Sequence, residues 1–396
     1  MATADEGRSA VRAVPFEIHV PDEELEDLAA RLRATRWAPE VGNDDWKYGT
    51  AGEFLRELVE AWLDFDWRAQ EKAINQFPHF KADFDGTPIH FVHQRGKGPA
   101  PLPLILSHGW PWTFWDWSEV IGPLTDPAAH GGDPADAFDV IVPSMPGFAF
   151  SSPLTEKPVT VRWIAELWDQ LMTDVLGYPR YGAVGGDWGE VVTTELDRVA
   201  RDRLAGLYLS TAPTTLIGGM QTLKPEEYAP EEAGWFDHTQ QMMRTILSHG
   251  HVHILDPQTL AWALNDSPVG LAAWLMERRR NWSDCGGDLS STYSTEFLLT
   301  TISLYWFTHS FGSSVRVYAD AAAGLTDGTE HVETPLGVGV FPADVFLVPR
   351  ERVAAAANLQ HWSVQPKGGH FAPAEQPQAI VEELRTFFRP LRGVSG

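Results

Sequence analysis

Cysteine is almost missing from this chain: Cys285 is the only one in 396 residues. An internal disulfide is excluded, and a reducing, cytoplasmic setting is expected. Basic residues are also scarce, 30 Lys and Arg against 54 Asp and Glu. The resulting formal charge of −24 argues against nucleic acid and anionic membranes as partners. Much of the acid lies on solvated helical faces such as Asp22-Glu23-Glu24-Leu25-Glu26-Asp27. Met1 to Val14 lacks the apolar core of a signal peptide or anchor. Phe297 to Val315 is free of acidic and basic side chains apart from His309, but it carries Thr300, Thr301, Ser303, Thr308, Ser310, Ser313 and Ser314. Those hydroxyls suit a buried helix lining a pocket better than a lipid-facing span. The Gly-x-Ser-x-Gly elbow of serine esterases does not occur. No cysteine or carboxylate pattern accompanies His249, His251 and His253, so no metal site is expected.

What is present is an elbow of another kind. In Gly185-Gly186-Asp187-Trp188-Gly189, an aspartate stands where esterases carry serine. Tyr181-Gly182-Ala183-Val184 reads as a strand before it, and Glu190 to Leu196 as a helix after it. A sharp strand-to-helix turn needs small residues on both sides of its central side chain. An aspartate held there attacks an sp3 carbon and leaves an ester on the enzyme. Ser107-His108-Gly109-Trp110-Pro111 follows the apolar run Pro103-Leu104-Ile105-Leu106. The backbone N–H groups of Trp110 and Trp188 are the expected oxyanion donors. Downstream, Asp344 in Phe341-Pro342-Ala343-Asp344 and His370 in Gly368-Gly369-His370-Phe371 complete the order nucleophile, acid, histidine.

These motifs resemble the epoxide hydrolases of the microsomal type, and the resemblance spans nearly the whole chain. It includes Pro15-Phe16-Glu17-Ile18-His19-Val20-Pro21, Arg36-Trp37, His108-Gly109-Trp110-Pro111, Pro143-Ser144-Met145-Pro146-Gly147-Phe148, Leu264-Asn265-Asp266-Ser267-Pro268 and Ser313-Ser314-Val315-Arg316-Val317-Tyr318. It implies Asp187 as nucleophile, His370 as base, Asp344 as its orienting acid and Tyr318 as the epoxide-activating tyrosine. A second cap tyrosine usual in the family is missing. Counting back from Ile254 reaches His251, and from Pro257 reaches His249. The nearer anchor favours His251 as a hydrogen-bond donor in its place, with His249 as the alternative. Trp306 is a further expected pocket residue.

The implied architecture is an α/β-hydrolase fold, a mostly parallel sheet flanked by helices. An N-terminal arm and lead-in to the sheet is expected over 1–100, the first part of the core over 101–212, a helical cap over 213–334 and the second part of the core over 335–396. Leu25, Leu28 and Leu32 recur at helical spacing. Thr50 with Glu53 reads as a capping box, and Asp85-Gly86 as a hairpin turn. Trp235, Trp262, Trp274, Trp282 and Trp306 are read among the apolar positions of the cap. The expected ligand is a small-molecule epoxide, aryl epoxides such as styrene oxide included, with no cofactor and with homodimerisation left open. Natural-product biosynthesis and xenobiotic detoxification are roles by analogy. The rival readings are a haloalkane dehalogenase-like hydrolase and a non-catalytic binding protein on the same fold.

Overall fold

The innermost strands are apolar almost without interruption, as strands covered on both faces must be. They are β4 (Leu102–Ser107), β5 (Phe138–Pro143), β6 (Tyr181–Gly185) and β7 (Leu204–Leu209), and the last three are buried throughout. In the computed structural model, which describes residues 11–322 and 331–393, they form the middle of a nine-stranded sheet. The other members are β1 (Val14–Phe16), β2 (His79–Phe84), β3 (Thr87–Gln94), β8 (Val332–Val340) and β9 (Ala357–Val364). The order is β1-β2-β3-β5-β4-β6-β7-β8-β9. From β5 to β9 all pairings are parallel, whereas β1, β2 and β3 add on antiparallel. The fold is the expected α/β-hydrolase fold, with the hairpin turning at Asp85-Gly86. The reading of the first ten residues as leaderless lies outside the described residues.

Register brings the chemistry to one edge. Ser107 pairs with Gly185, and Gly185 with Leu209, so the loops after β4, β6 and β7 leave the sheet side by side. That carboxyl edge is where open parallel sheets hold ligands. Above it sits a helical cap that includes Trp235–Thr245, Ser248–Leu255, Pro257–Leu264, Pro268–Trp282, Thr295–Phe307 and Arg316–Ala322. The arm helices Asp22–Arg33 and Gly52–Leu63 brace the cap from outside. Trp62 Nε1 donates to Ser303 Oγ at 2.9 Å, and Arg31 pairs with Asp266. A fully buried ion pair between Arg279 and Asp116, 2.6 Å long, joins the cap helix to the turn after β4.

Three local expectations are corrected. The helix Gly52–Leu63 has Ala51 at its N-cap and no side-chain cap, because the Thr50 hydroxyl donates to Ala273 O at 2.9 Å instead. The core resumes at Val332, three positions before the expected boundary, with a strand that the sequence reading passed over. Trp262 is 74% exposed rather than part of the cap interior. Among the described residues, no helix is long and apolar enough to cross a membrane. Phe297 to Val315 is divided between the helix Thr295–Phe307 and a short turn of helix at Phe311–Ser314.

Candidate active site

Asp187 caps the helix Trp188–Ala200 with φ 55° and ψ −128°, a conformation unfavourable for a residue with a Cβ and typical of stored strain. Its neighbours make the turn feasible. A Cβ on Gly185 would run into the Gly189 carbonyl, and one on Gly109 would run into Asp187 Oδ1 itself. The Asp187 amide donates to Thr211 Oγ1 at 2.9 Å, fixing the turn to the loop after β7. Asp187 Oδ1 accepts from the Trp110 N–H at 2.8 Å. The Trp188 N–H opens the helix, where no carbonyl four residues back is available to it.

The loops carrying Asp344 and His370 meet through a parallel bridge between Ala343 and Gly369, beyond the ends of β8 and β9. His370 Nδ1–H donates to Asp344 Oδ1 at 2.7 Å, and Nε2 faces Asp187 Oδ2 at 3.2 Å. Burial pulls the imidazole's pKa down, but the two carboxylates outweigh it and raise the value to about 10. Both ring nitrogens therefore carry protons near neutrality, because carboxylates only accept. Trp282, Phe371 and Trp112 wall the ring at 5.2, 5.3 and 5.8 Å. Glu375 accepts from the Gly369 and Phe371 amides on either side of it, at 2.9 and 2.8 Å. His238, from the cap, donates Nε2–H to the Asp344 carbonyl at 2.7 Å.

Facing this group, the cap presents Tyr318. Its ring lies 4.9 Å from Trp188, 4.8 Å from His253, 5.6 Å from His249 and 6.1 Å from Trp110. Burial, then the negative Asp187, push its hydroxyl well above the usual tyrosine range. The phenol therefore keeps its proton at neutral pH and can donate it. The site thus joins a carboxylate in an oxyanion cradle, a histidine with its acid, and a protonated phenol opposite.

With that geometry in hand, comparison with known proteins gives a consistent answer. The family "Epoxide hydrolase N terminus" matches residues 13–117, and "alpha/beta hydrolase fold" matches residues 103–252. The Stigmatella aurantiaca protein named "Putative epoxide hydrolase" is 40% identical over 96% of this chain and 85% of its own. Epoxide hydrolase 1 of Oryctolagus cuniculus is 32% identical over 94% of this chain and 88% of its own. The chain belongs to the epoxide hydrolase family. Among solved structures, Aspergillus niger epoxide hydrolase is similar with a TM-score of 0.84 and 29% identity, covering 96% of this chain and 97% of that one. Juvenile hormone epoxide hydrolase from the silkworm Bombyx mori gives a TM-score of 0.87 at 26% identity, covering 96% and 95%.

In this epoxide hydrolase, Asp187, His370, Asp344, Tyr318 and the Trp110 and Trp188 amides come together as expected. His251 does not: it is exposed on the outer side of the helix Ser248–Leu255. A residue two positions from another on a helix faces away from it, whereas positions four apart share a face. His249 and His253 are accordingly the buried pair. His249 donates from Nδ1 to the Ile246 carbonyl at 3.3 Å, so its remaining nitrogen accepts, contrary to the donor expected there. Trp306 is buried, with Arg31 of the arm 5.8 Å from its ring centroid, and among the described residues no ring contact ties it to Tyr318, His370 or Trp110. Cys285 is buried, with its thiol on the Arg280 carbonyl.

Several residues escaped the sequence reading. The His-x-x-x-His spacing could have singled out His253. Nothing local announced His238, whose partner Asp344 is 106 positions away, or Glu375, although the amides it accepts from are only six and four positions back; Trp282 is read in the sequence only as an apolar cap position. Glu190, in the first turn after Asp187, is another that escaped. Burial, then Asp187 and Asp344, hold its carboxyl well above the usual range.

Proposed function

We propose that this enzyme converts an epoxide to a vicinal diol through a covalent ester on Asp187. Asp187 Oδ2 attacks a ring carbon while Oδ1 stays on the Trp110 amide. The carbon–oxygen bond of the ring breaks, and Tyr318 supplies a proton to the departing alkoxide. Esterification removes the negative charge of Asp187, one of the two that hold the His370 proton. The imidazole's pKa then falls, its Nε2 proton passes to the Tyr318 oxygen that has just given one up, and the neutral His370 becomes the base that draws a proton from water. Hydroxide attacks the ester carbonyl, whose oxygen gathers charge toward the Trp110 and Trp188 N–H groups. Collapse of this adduct frees the diol and restores the carboxylate. Asp344 keeps the imidazole in the tautomer that leaves Nε2 toward the water.

The single observation carrying this reading is the Asp187 carboxylate held between the Trp110 N–H and the His370–Asp344 pair. Single turnover in heavy-oxygen water tests it. Water attacks the carbonyl, so the first-turnover diol carries an unlabelled oxygen from Asp187, and the label enters the protein. Solvent label in that first diol would mean direct water attack on the ring, and the covalent route would be wrong.

A further inference from the structure

His249 lies within the aromatic wall above Asp187, nearly parallel to Trp110 at 5.6 Å with an interplanar angle of 12°. Trp282 at 4.8 Å and Tyr318 at 5.6 Å bound it on other sides. Its own helix decides what the ring can bond. The Ile246 carbonyl sits 3.3 Å from Nδ1, and a carbonyl oxygen can only accept, so the one proton of the neutral ring is on Nδ1. Burial, with the positive Arg278 behind it, keeps the ring neutral by lowering its pKa to about 3. Nε2 is left with a lone pair and no protein partner among the described residues. His253 is different. Its Nε2 accepts from Trp274 Nε1 at 3.1 Å, and its sealed Nδ1 is cut off from any ligand, so that ring belongs to the wall.

The groups that can donate to a ligand here are the Tyr318 hydroxyl, whose oxygen already accepts from the Trp188 side chain, and the Trp188 amide, the Trp110 amide being held on Asp187 Oδ1. An epoxide oxygen accepts only, so it suits those groups and is repelled by a second lone pair. We infer that His249 selects epoxides bearing a hydrogen-bond donor, a hydroxyl or amide N–H, on a carbon beside the ring. Nε2 accepts from that donor while Tyr318 serves the ring oxygen. The Tyr318 and His249 rings touch edge to face in the same wall, so one ligand held at Asp187 can meet both. The inference rests on the roles of Asp187 and Tyr318 given above.

The test uses three matched substrates: an aryl 2,3-epoxy alcohol, its O-methyl ether and the deoxy epoxide. The wild-type enzyme should favour the alcohol in kcat/KM by about tenfold or more, since a site that pairs a donor penalises analogues lacking it. His249→Phe should bring the three within twofold of one another. His249→Gln, whose amide oxygen can take over the accepting role, should keep most of the preference. Equal turnover of the three by wild type, or an unchanged preference in His249→Phe, would overturn the inference while leaving the diol-forming reaction intact. A slower Asp187 alkylation by the deoxy epoxide in His249→Phe would also overturn it, because His249 would then be a donor to the ring oxygen. Absence of both diol and protein adduct with all three would instead defeat the epoxide reading, and this inference with it.

Discussion

Removing the base should strand the enzyme halfway through its reaction. In the proposed reaction His370 takes the proton from the attacking water, with Nδ1 anchored on Asp344 at 2.7 Å and Nε2 beside Asp187 at 3.2 Å. Ring opening needs neither nitrogen as a base, because its proton comes from Tyr318. General-base assistance typically contributes about 10²- to 10⁴-fold to a rate, so ester hydrolysis should slow by that order while alkylation persists. His370→Ala carries a structural penalty as well. It empties a space walled by Trp282, Phe371 and Trp112, and large-to-small core changes cost about 2–5 kcal/mol. It also leaves two carboxylates without their cation. His370→Gln is the better probe, since its amide nitrogen reaches toward the position of Nε2 but cannot act as a base. Rapid mixing followed by intact-mass measurement should show nearly stoichiometric protein heavier by one substrate, with diol released slowly. Diol formation at the wild-type rate by the folded Gln variant would refute the assignment. So would a loss of alkylation as deep as the loss of hydrolysis.

Other expectations follow from the same groups. Tyr318→Phe should slow Asp187 alkylation by about 10²-fold or more and spare ester hydrolysis, and rapid-quench kinetics showing equal losses in both steps would contradict its role as acid. Glu190→Gln should keep near-wild-type turnover, because burial beside Asp187 and Asp344 disfavours the charged carboxyl; a large fall in kcat with an intact fold would mean that the ionised form matters. His370 has a pKa raised to about 10 against about 6.5 unfolded. Its stabilising contribution is therefore complete below pH 6.5 and is lost as pH climbs through 10, at up to about 1.4 kcal/mol per pH unit. Urea melts at pH 7 and pH 9 should show this alkaline loss in wild type and a shallower one in His370→Gln; identical slopes would contradict it.

Which features could be read from the sequence depended on how far apart their partners lie. The elbow is legible because its glycines answer to a clash within a few residues, and the hairpin at Asp85-Gly86 because its strands adjoin the turn. The order of Asp187, Asp344 and His370 survives any uncertainty about loop lengths, so the three side chains that meet at the sheet's edge were legible too. β8 was not, since Thr334-Pro335-Leu336-Gly337-Val338-Gly339 is dense in turn residues. The structure explains the glycines: side chains on Gly337 and Gly339 would collide with Phe387 and Tyr208, which pack across that face. Thr50 failed as a cap for a similar reason, its hydroxyl being claimed by Ala273 in the cap. The histidines show the limit most clearly. Counting from Ile254 chose His251, but a count along the chain ignores the direction in which each side chain leaves the helix. Once Ser248–Leu255 is helical, burying His249 necessarily buries His253 and exposes His251. The same geometry decides the chemistry, because the Ile246 carbonyl one turn earlier takes the Nδ1 proton of His249. A position expected to give a hydrogen bond is thereby made to receive one.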